Sequence, residues 1–149
     1  MSGYTHLLLA ADFTDETRQV ADRAADLARR FNARLSFIHV VEFLHMDLAN
    51  ELVLPQDVEL EEQMVASARR KLAALAESLA LPDAACWVEL GATKHEILRV
   101  AGEQAVDLIV VGSHGRHGIQ RLLGSTANAV LHGAPCDVLA VRIRESDEG

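Results

Sequence analysis

The chain has 149 residues, half of them hydrophobic and about a quarter charged, with few aromatics and a formal net charge of −8. One domain is expected at this length, and such a chain buries about 70 % of its unfolded surface, so folding needs neither disulfides nor a structural metal. The acidic balance excludes nucleic acid or an anionic membrane as the main partner, whereas a small anion would respond only to the local field.

Cys86 and Cys136 stand far apart with no CxxC pair, which reads as two reduced, packed thiols. Met1-Ser-Gly-Tyr-Thr-His lacks a basic n-region, and no apolar run approaches the ~20 residues that span a bilayer. A soluble, cytoplasmic protein is expected.

Strand and helix signals alternate along the chain. Residues 6–11 form a continuous apolar run suited to a strand covered on both faces. Thr14 is placed to cap the next helix, with Asp15 and Glu16 in its first turn; Val20, Ala24, Leu27 and Phe31 follow at helical spacing, and Asn32 is a left-handed stop. Residues 34–41 read as strand two. Glu42 to Glu62 holds seven acids and no Lys or Arg, which fits a solvated loop and helix start, or else a lid or partner surface.

A long amphipathic helix is expected from Leu60, carrying Met64, Ala68, Leu72, Leu75 and Leu79 until Leu81-Pro82-Asp83 stops it. Residues 85–90 form strand three, turned by Gly91. Thr93-Lys-His-Glu96 has the form of a capping box opening a helix around Ile97, Leu98, Ala101 and Ala105. Residues 107–111 are strand four; Ser125 starts the last helix, which Gly133 and Pro135 end; residues 138–143 are strand five, before a polar tail. Such alternation predicts one α/β domain: an open, parallel five-stranded sheet with helices on both faces.

The stretch Gly112 to Thr126 carries the chemistry. It leaves an apolar strand, is rich in glycine, ends on Ser125-Thr126 at a helix start, and no Asp or Glu occurs from Leu108 to Cys136. Glycines let backbone N–H groups approach an anion, and the free N–H groups of the following helix complete a phosphate cradle. Two familiar phosphate motifs fail: no Lys-Ser/Thr follows Gly118 or Gly124, and the first turn lacks G-x-G-x-x-G. If strand one is central, its neighbours are strands two and four, and the loops after strands one and four border one crevice.

His114 and His117 have no nearby Cys, Asp or Glu to complete a metal set, so no direct metal site is expected. His39 reads as a satisfied core histidine. Asp12 also fits a cap for its own turn, and Arg116 and Arg121 also fit ordinary surface charges.

Gly112-Ser-His-Gly115 and Gly124-Ser125-Thr126, followed by Ala134-Pro135-Cys136-Asp137-Val138-Leu139-Ala140-Val141-Arg142, resemble the carboxyl half of the universal stress protein family. Leu7-Leu8-Leu9-Ala10-Ala11-Asp12-Phe13 and Leu35-Ser36-Phe37-Ile38-His39-Val40 extend the resemblance over nearly the whole chain. It implies a Rossmann-like, adenine nucleotide alpha hydrolase-like sheet of order 3-2-1-4-5. It also implies a homodimer through strand five (Val138 to Ile143), to which the apolar edge itself points.

The family's ATP site, carried over by position, implies Asp12 near the ribose, phosphates or a bound magnesium, flanked by Ala11 and Phe13. Val40 would line the adenine slot through its backbone. Gly112, Ser113, His114, Gly115 and Arg116 would wrap the ribose and triphosphate, and Gly124, Ser125 and Thr126 the terminal phosphates. Eight residues rather than nine separate Gly115 from Gly124, so two readings stand: an ATP-binding signalling module, or a dimeric interaction module with a vestigial pocket. Catalysis beyond slow ATP hydrolysis is not expected, since no lysine, arginine finger or general base is evident around the loop.

Overall fold

The computed structural model describes residues 3–42, 55–113 and 124–142. Its strands are β1 (His6–Ala10), β2 (Arg34–Val41), β3 (Cys86–Leu90), β4 (Leu108–Gly112) and β5 (Asp137–Val141), all parallel, in the order β3-β2-β1-β4-β5. The helices are α1 (Thr17–Phe31), α2 (Pro55–Ser78), α3 (Thr93–Glu103) and α4 (Ser125–Gly133). Side chains alternate across the strands. Leu7, Leu9 and Val110 pack under α1 and α2 with Val20, Ala24 and Leu72, while Leu8, Ile109 and Val111 pack under α3 and α4 with Ile97, Ala127 and Val130. The expected order and the two helical layers are both present.

Several boundaries differ from the sequence reading, each for a local reason. Thr14 does not cap α1. Residues 14–16 form a turn in which the Thr17 N–H bonds Thr14 O at 3.0 Å, so the helix starts at Thr17 with no acid in its first turn. Asn32 is the left-handed cap expected, at φ 55° and ψ 44°. α2 begins at Pro55, a residue suited to a first helical turn, rather than at Leu60. It ends at Ser78 before a left-handed Ala80 (φ 63°), ahead of Pro82. Gly91 does turn β3, at φ 144°.

The expected capping box is not formed. Thr93 is the first helical residue of α3, and its N–H (2.8 Å) and hydroxyl (2.6 Å) both donate to Glu42 Oε2, just past β2. A carboxylate from another element thus serves the helix start, and those two hydrogen bonds hold the Glu42 carboxyl below its usual range. Ala105 lies past the end of α3 at φ 56°. At Gly133 a Cβ would meet Leu98 Cδ1 at 2.9 Å, so glycine there serves the close approach of α4 to α3.

At the amino ends of the strands a polar network is buried. His6 is 1 % exposed; its Nε2 lies 2.7 Å from Ser36 Oγ and its Nδ1 3.1 Å from Gln104 O. Nε2 thus faces a hydroxyl that can serve as either partner, while Nδ1 faces a carbonyl acceptor. The Arg34 guanidinium sits 3.2 Å from Nδ1. Burial first, then this cation, push the His6 pKa below its ordinary value.

The Asp107 carboxylate accepts the His6 N–H and both the N–H and hydroxyl of Thr5. Burial raises its pKa, but these bonds together outweigh that and hold it low. Tyr4 donates to Asp137 Oδ2 at 2.6 Å, tying the segment before β1 to β5.

The lowered His6 pKa means that the unfolded chain binds this proton more readily. Stability from neutral His6 is therefore whole above pH ~6.5 and declines as pH falls below it, at about 1.4 kcal/mol per unit of pKa difference. Thermal unfolding of the wild type should shift to lower temperature between pH 7 and pH 5, with a flatter profile in His6→Gln; parallel profiles would contradict the role given to His6.

Candidate functional site

Because β1 lies between β2 and β4, the segments leaving β1 and β4 emerge side by side at the carboxyl end of the sheet. Beyond β1, Ala11 donates its N–H to Ile38 O (2.9 Å), and its carbonyl receives His39 Nδ1–H at 2.7 Å. The following turn is closed by Asp12. Its Oδ1 accepts the Thr14 N–H (3.2 Å), the Thr14 hydroxyl (3.1 Å) and the Thr17 hydroxyl (2.9 Å). Asp12 therefore does cap its own turn, with Oδ2 not used by these bonds.

Phe13 adopts the left-handed region at φ 58°, sparsely populated for a bulky residue. Its ring lies against His39 (centroids 4.4 Å apart) and under Lys71 Nζ (5.5 Å).

Beyond β4 the Ser113 N–H bonds Val141 O at 2.9 Å, and the Gly124 N–H returns to Ser113 O at 2.6 Å. The excursion between these residues thus leaves and re-enters at one point. His114, Gly115, Arg116, His117 and Arg121 lie in it, outside the described residues. Gly124 is the N-cap of α4 in an extended conformation, with no side-chain cap bond, so Ser125 and Thr126 form an exposed first turn whose N–H groups no side chain among the described residues caps. Ser113 Oγ is buried without a hydrogen-bond partner among the described residues. A buried hydroxyl without a partner among the described residues, next to a helix start that no described side chain caps, is chemistry suited to an anion.

A hollow of about 20 Å³, room for a water molecule or so, opens between β1 and α1. It is lined by Ala11, Asp12, Thr14, Glu16, Thr17 and Gly112 among others. Two carboxylates make this corner unsuited to bare phosphate and suited to sugar hydroxyls or a hydrated cation. Val40 is 9 % exposed with its side chain in the core beneath α3 and α4, so only its backbone is left for a ligand.

Of the expected residues, the structure gathers Ala11, Asp12 and Gly112 at the hollow, with Phe13 next to Asp12. It places Ser113 and Gly124 in mutual contact and Ser125 and Thr126 at the α4 start. Among the described residues no group of three or more His, Cys, Asp and Glu is placed to hold a metal.

His39 is satisfied, as expected, but it is only partly buried, against Ala11 O and the Phe13 ring, rather than enclosed in the core. Its only sequence signal was a polar residue in an apolar strand. Lys71 gave none, because α2 brings it to the turn from far along the chain.

The fold and this corner define an α/β protein with a candidate ligand crevice at its sheet switch point. The model of the universal stress protein family matches residues 3–142. Universal stress protein A homolog 1 of Coxiella burnetii is 41 % identical over 142 residues, covering 95 % of this chain and 99 % of that one. Among solved structures, universal stress protein UspA from Lactobacillus plantarum superposes with a TM-score of 0.79 at 28 % identity, covering 97 % of this chain and 100 % of its own. A universal stress protein in complex with cAMP gives 0.67 at 25 % identity, over 96 % of this chain and 100 % of that one. The chain belongs to the universal stress protein family.

The Asp12 turn should be worth a typical N-cap. Asp12→Ala is expected to lower stability by ~1 kcal/mol, and Asp12→Asn, which keeps an acceptor oxygen, by much less. Urea unfolding of the two variants checks this; equal losses would mean that charge rather than turn geometry matters.

Proposed function

We propose that the protein is an adenine-nucleotide-binding module of stress response and signalling, working as a homodimer in the cytoplasm and taking ATP across the crevice beyond β1 and β4. One observation carries the reading. The start of α4, which no described side chain caps, is tied back to the end of β4 by the Gly124–Ser113 bond, and the buried Ser113 hydroxyl has no partner among the described residues.

Gly124, Ser125 and Thr126 hold the terminal phosphates there, with Gly112, Ser113, His114, Gly115 and Arg116 around the ribose and triphosphate. Ala11, Asp12, Phe13 and the Val40 backbone serve the adenosine end, and Asp12 also fits a magnesium ion carried on the phosphates. The relative solved in complex with cAMP supports an adenine nucleotide as the ligand class. No helix among the described residues is long and apolar enough to cross a membrane, in keeping with a cytoplasmic role.

Binding rather than turnover suits the described groups. Asp12 Oδ1 already serves three donors of its own turn and makes a poor general base for water. The module senses nucleotide; any hydrolysis is slow.

The second reading, an interaction protein with a vestigial pocket, draws on β5. This edge strand leaves Val138, Leu139 and Ala140 only half buried. The bond from the Ser113 N–H to Val141 O turns the Val141 backbone toward β4. Alternation then turns the Val138 and Ala140 amides to the open edge, where a second copy pairs. The dimer serves both readings; nucleotide separates them.

Calorimetry with ATP, ADP, AMP and cAMP, with and without magnesium, tests the main reading; no heat at millimolar ATP would favour the second. Ser125→Asp adds a carboxylate where an isolated helix start welcomes one, so stability should hold or rise by about 0.3–1 kcal/mol while ATP affinity falls at least tenfold. Unchanged affinity would remove phosphate from the α4 start. Ala140→Pro removes an outward amide without touching the β4 ladder, and should give a folded monomer by sedimentation. A dimer that survives it does not use this edge.

A further inference from the structure

The register of β1 on β2 stops at Ala10–Ile38. The Ala11 N–H still reaches Ile38 O, so in a parallel ladder the next rung would run from the Val40 N–H to the Ala11 carbonyl. That carbonyl is taken instead by the His39 ring at 2.7 Å. The nitrogen facing it must carry the hydrogen, whatever the state of Nε2. The same ring supports Phe13, whose left-handed backbone turns the chain away from β2 directly after Asp12.

We propose that His39 is a positioning residue that keeps the β1–β2 ladder open by one rung, so that the Val40 amide remains available to the adenine edge of a nucleotide. This rests on the nucleotide reading of the crevice and gives it a mechanism. An extended ladder would engage the one part of Val40 that its buried side chain leaves for recognition. It would also pull the Ala11–Phe13 segment toward β2 and away from β4. Lys71, above the Phe13 ring, ties the outer side of the turn to α2. The device explains why a histidine stands in the apolar second half of β2: a ring N–H on a short, stiff side chain reaches a carbonyl that a backbone amide would otherwise claim.

Two substitutions separate the donor from the ring. His39→Phe keeps a ring against Phe13 and loses the donor; His39→Asn keeps a donor near the same place and loses the ring. Two readouts are taken on each, the ATP dissociation constant by calorimetry and the exchange rate of the Val40 amide by NMR without nucleotide. In His39→Phe the Val40 amide should exchange more slowly than in the wild type as the missing rung forms. If the open turn is then populated about one time in ten, ATP affinity should fall about tenfold. His39→Asn should recover most of both.

A merely structural histidine would speed exchange throughout and would not slow a single amide. Wild-type ATP affinity in His39→Phe, or unslowed Val40 exchange, would overturn the proposal. Slowed Val40 exchange in a protein whose wild type binds no ATP would leave the ladder device standing and remove the nucleotide reading instead.

Discussion

The burial of β1 on both faces is the constraint from which the rest of the architecture follows. Leu7, Leu8 and Leu9 are each wholly inaccessible, with their side chains divided between the two helical layers. Fully burying one leucine is worth about 1.5–3 kcal/mol, so this short strand contributes strongly to a marginal total. A strand so covered occupies the sheet centre, and parallel crossovers then send α1 and α2 to one face and α3 and α4 to the other. The adjacency of the turns leaving β1 and β4 follows from this, and with it the place of the crevice.

Both ends of the sheet are finished by one device. Asp107 accepts the N–H and hydroxyl of Thr5, Asp12 those of Thr14, and Glu42 those of Thr93. In each pair a carboxylate just outside a strand satisfies backbone donors that the strand or helix leaves unmet, and a threonine hydroxyl fixes the carboxylate's orientation. Three of the acids behind the net charge of −8 are thus structural, bound to local donors rather than displayed to partners. The overall acidity therefore says little about the crevice. What matters there is the division between the β1 side, with Asp12 and Glu16, and the β4–α4 side, with its free helix dipole and no acid from Leu108 to Cys136. A ligand polar at one end and anionic at the other matches that division.

The architecture was legible because period-2 and period-3.6 patterns alternate cleanly, and because four-residue apolar runs leave few alternatives to buried parallel strands. The α4 start at Ser125 was legible for the same reason, since Ala127 and Val130 mark the buried face behind it. Helix starts were less so. Thr14 and Thr93 both look like N-caps in sequence, but each donates its hydroxyl to a carboxylate, and for Thr93 that carboxylate lies on another element. The left-handed stops at Ala80 and Ala105 carry no glycine or asparagine to announce them. The His6–Ser36–Gln104 network and the grip of His39 on Ala11 are non-local contacts, and no spacing in one chain encodes them.

The shortened spacer before Gly124 bears on the site through its anchors. The start of α4 is set by the Gly124 bond to Ser113 O and by Ala127 and Val130 in the core, all fixed to β4 and the sheet. These contacts do not depend on how many residues lie between the anchors. The entropy of closing such a segment changes only slowly with length, so one residue fewer carries a cost well below 1 kcal/mol. A spacer acting through the helix would have to break a 2.6 Å backbone bond to turn Ser125, while one acting through its own residues need not disturb the helix at all. With eight residues in the spacer, the α4 corner is anchored by the Gly124–Ser113 bond and by Ala127 and Val130 in the core.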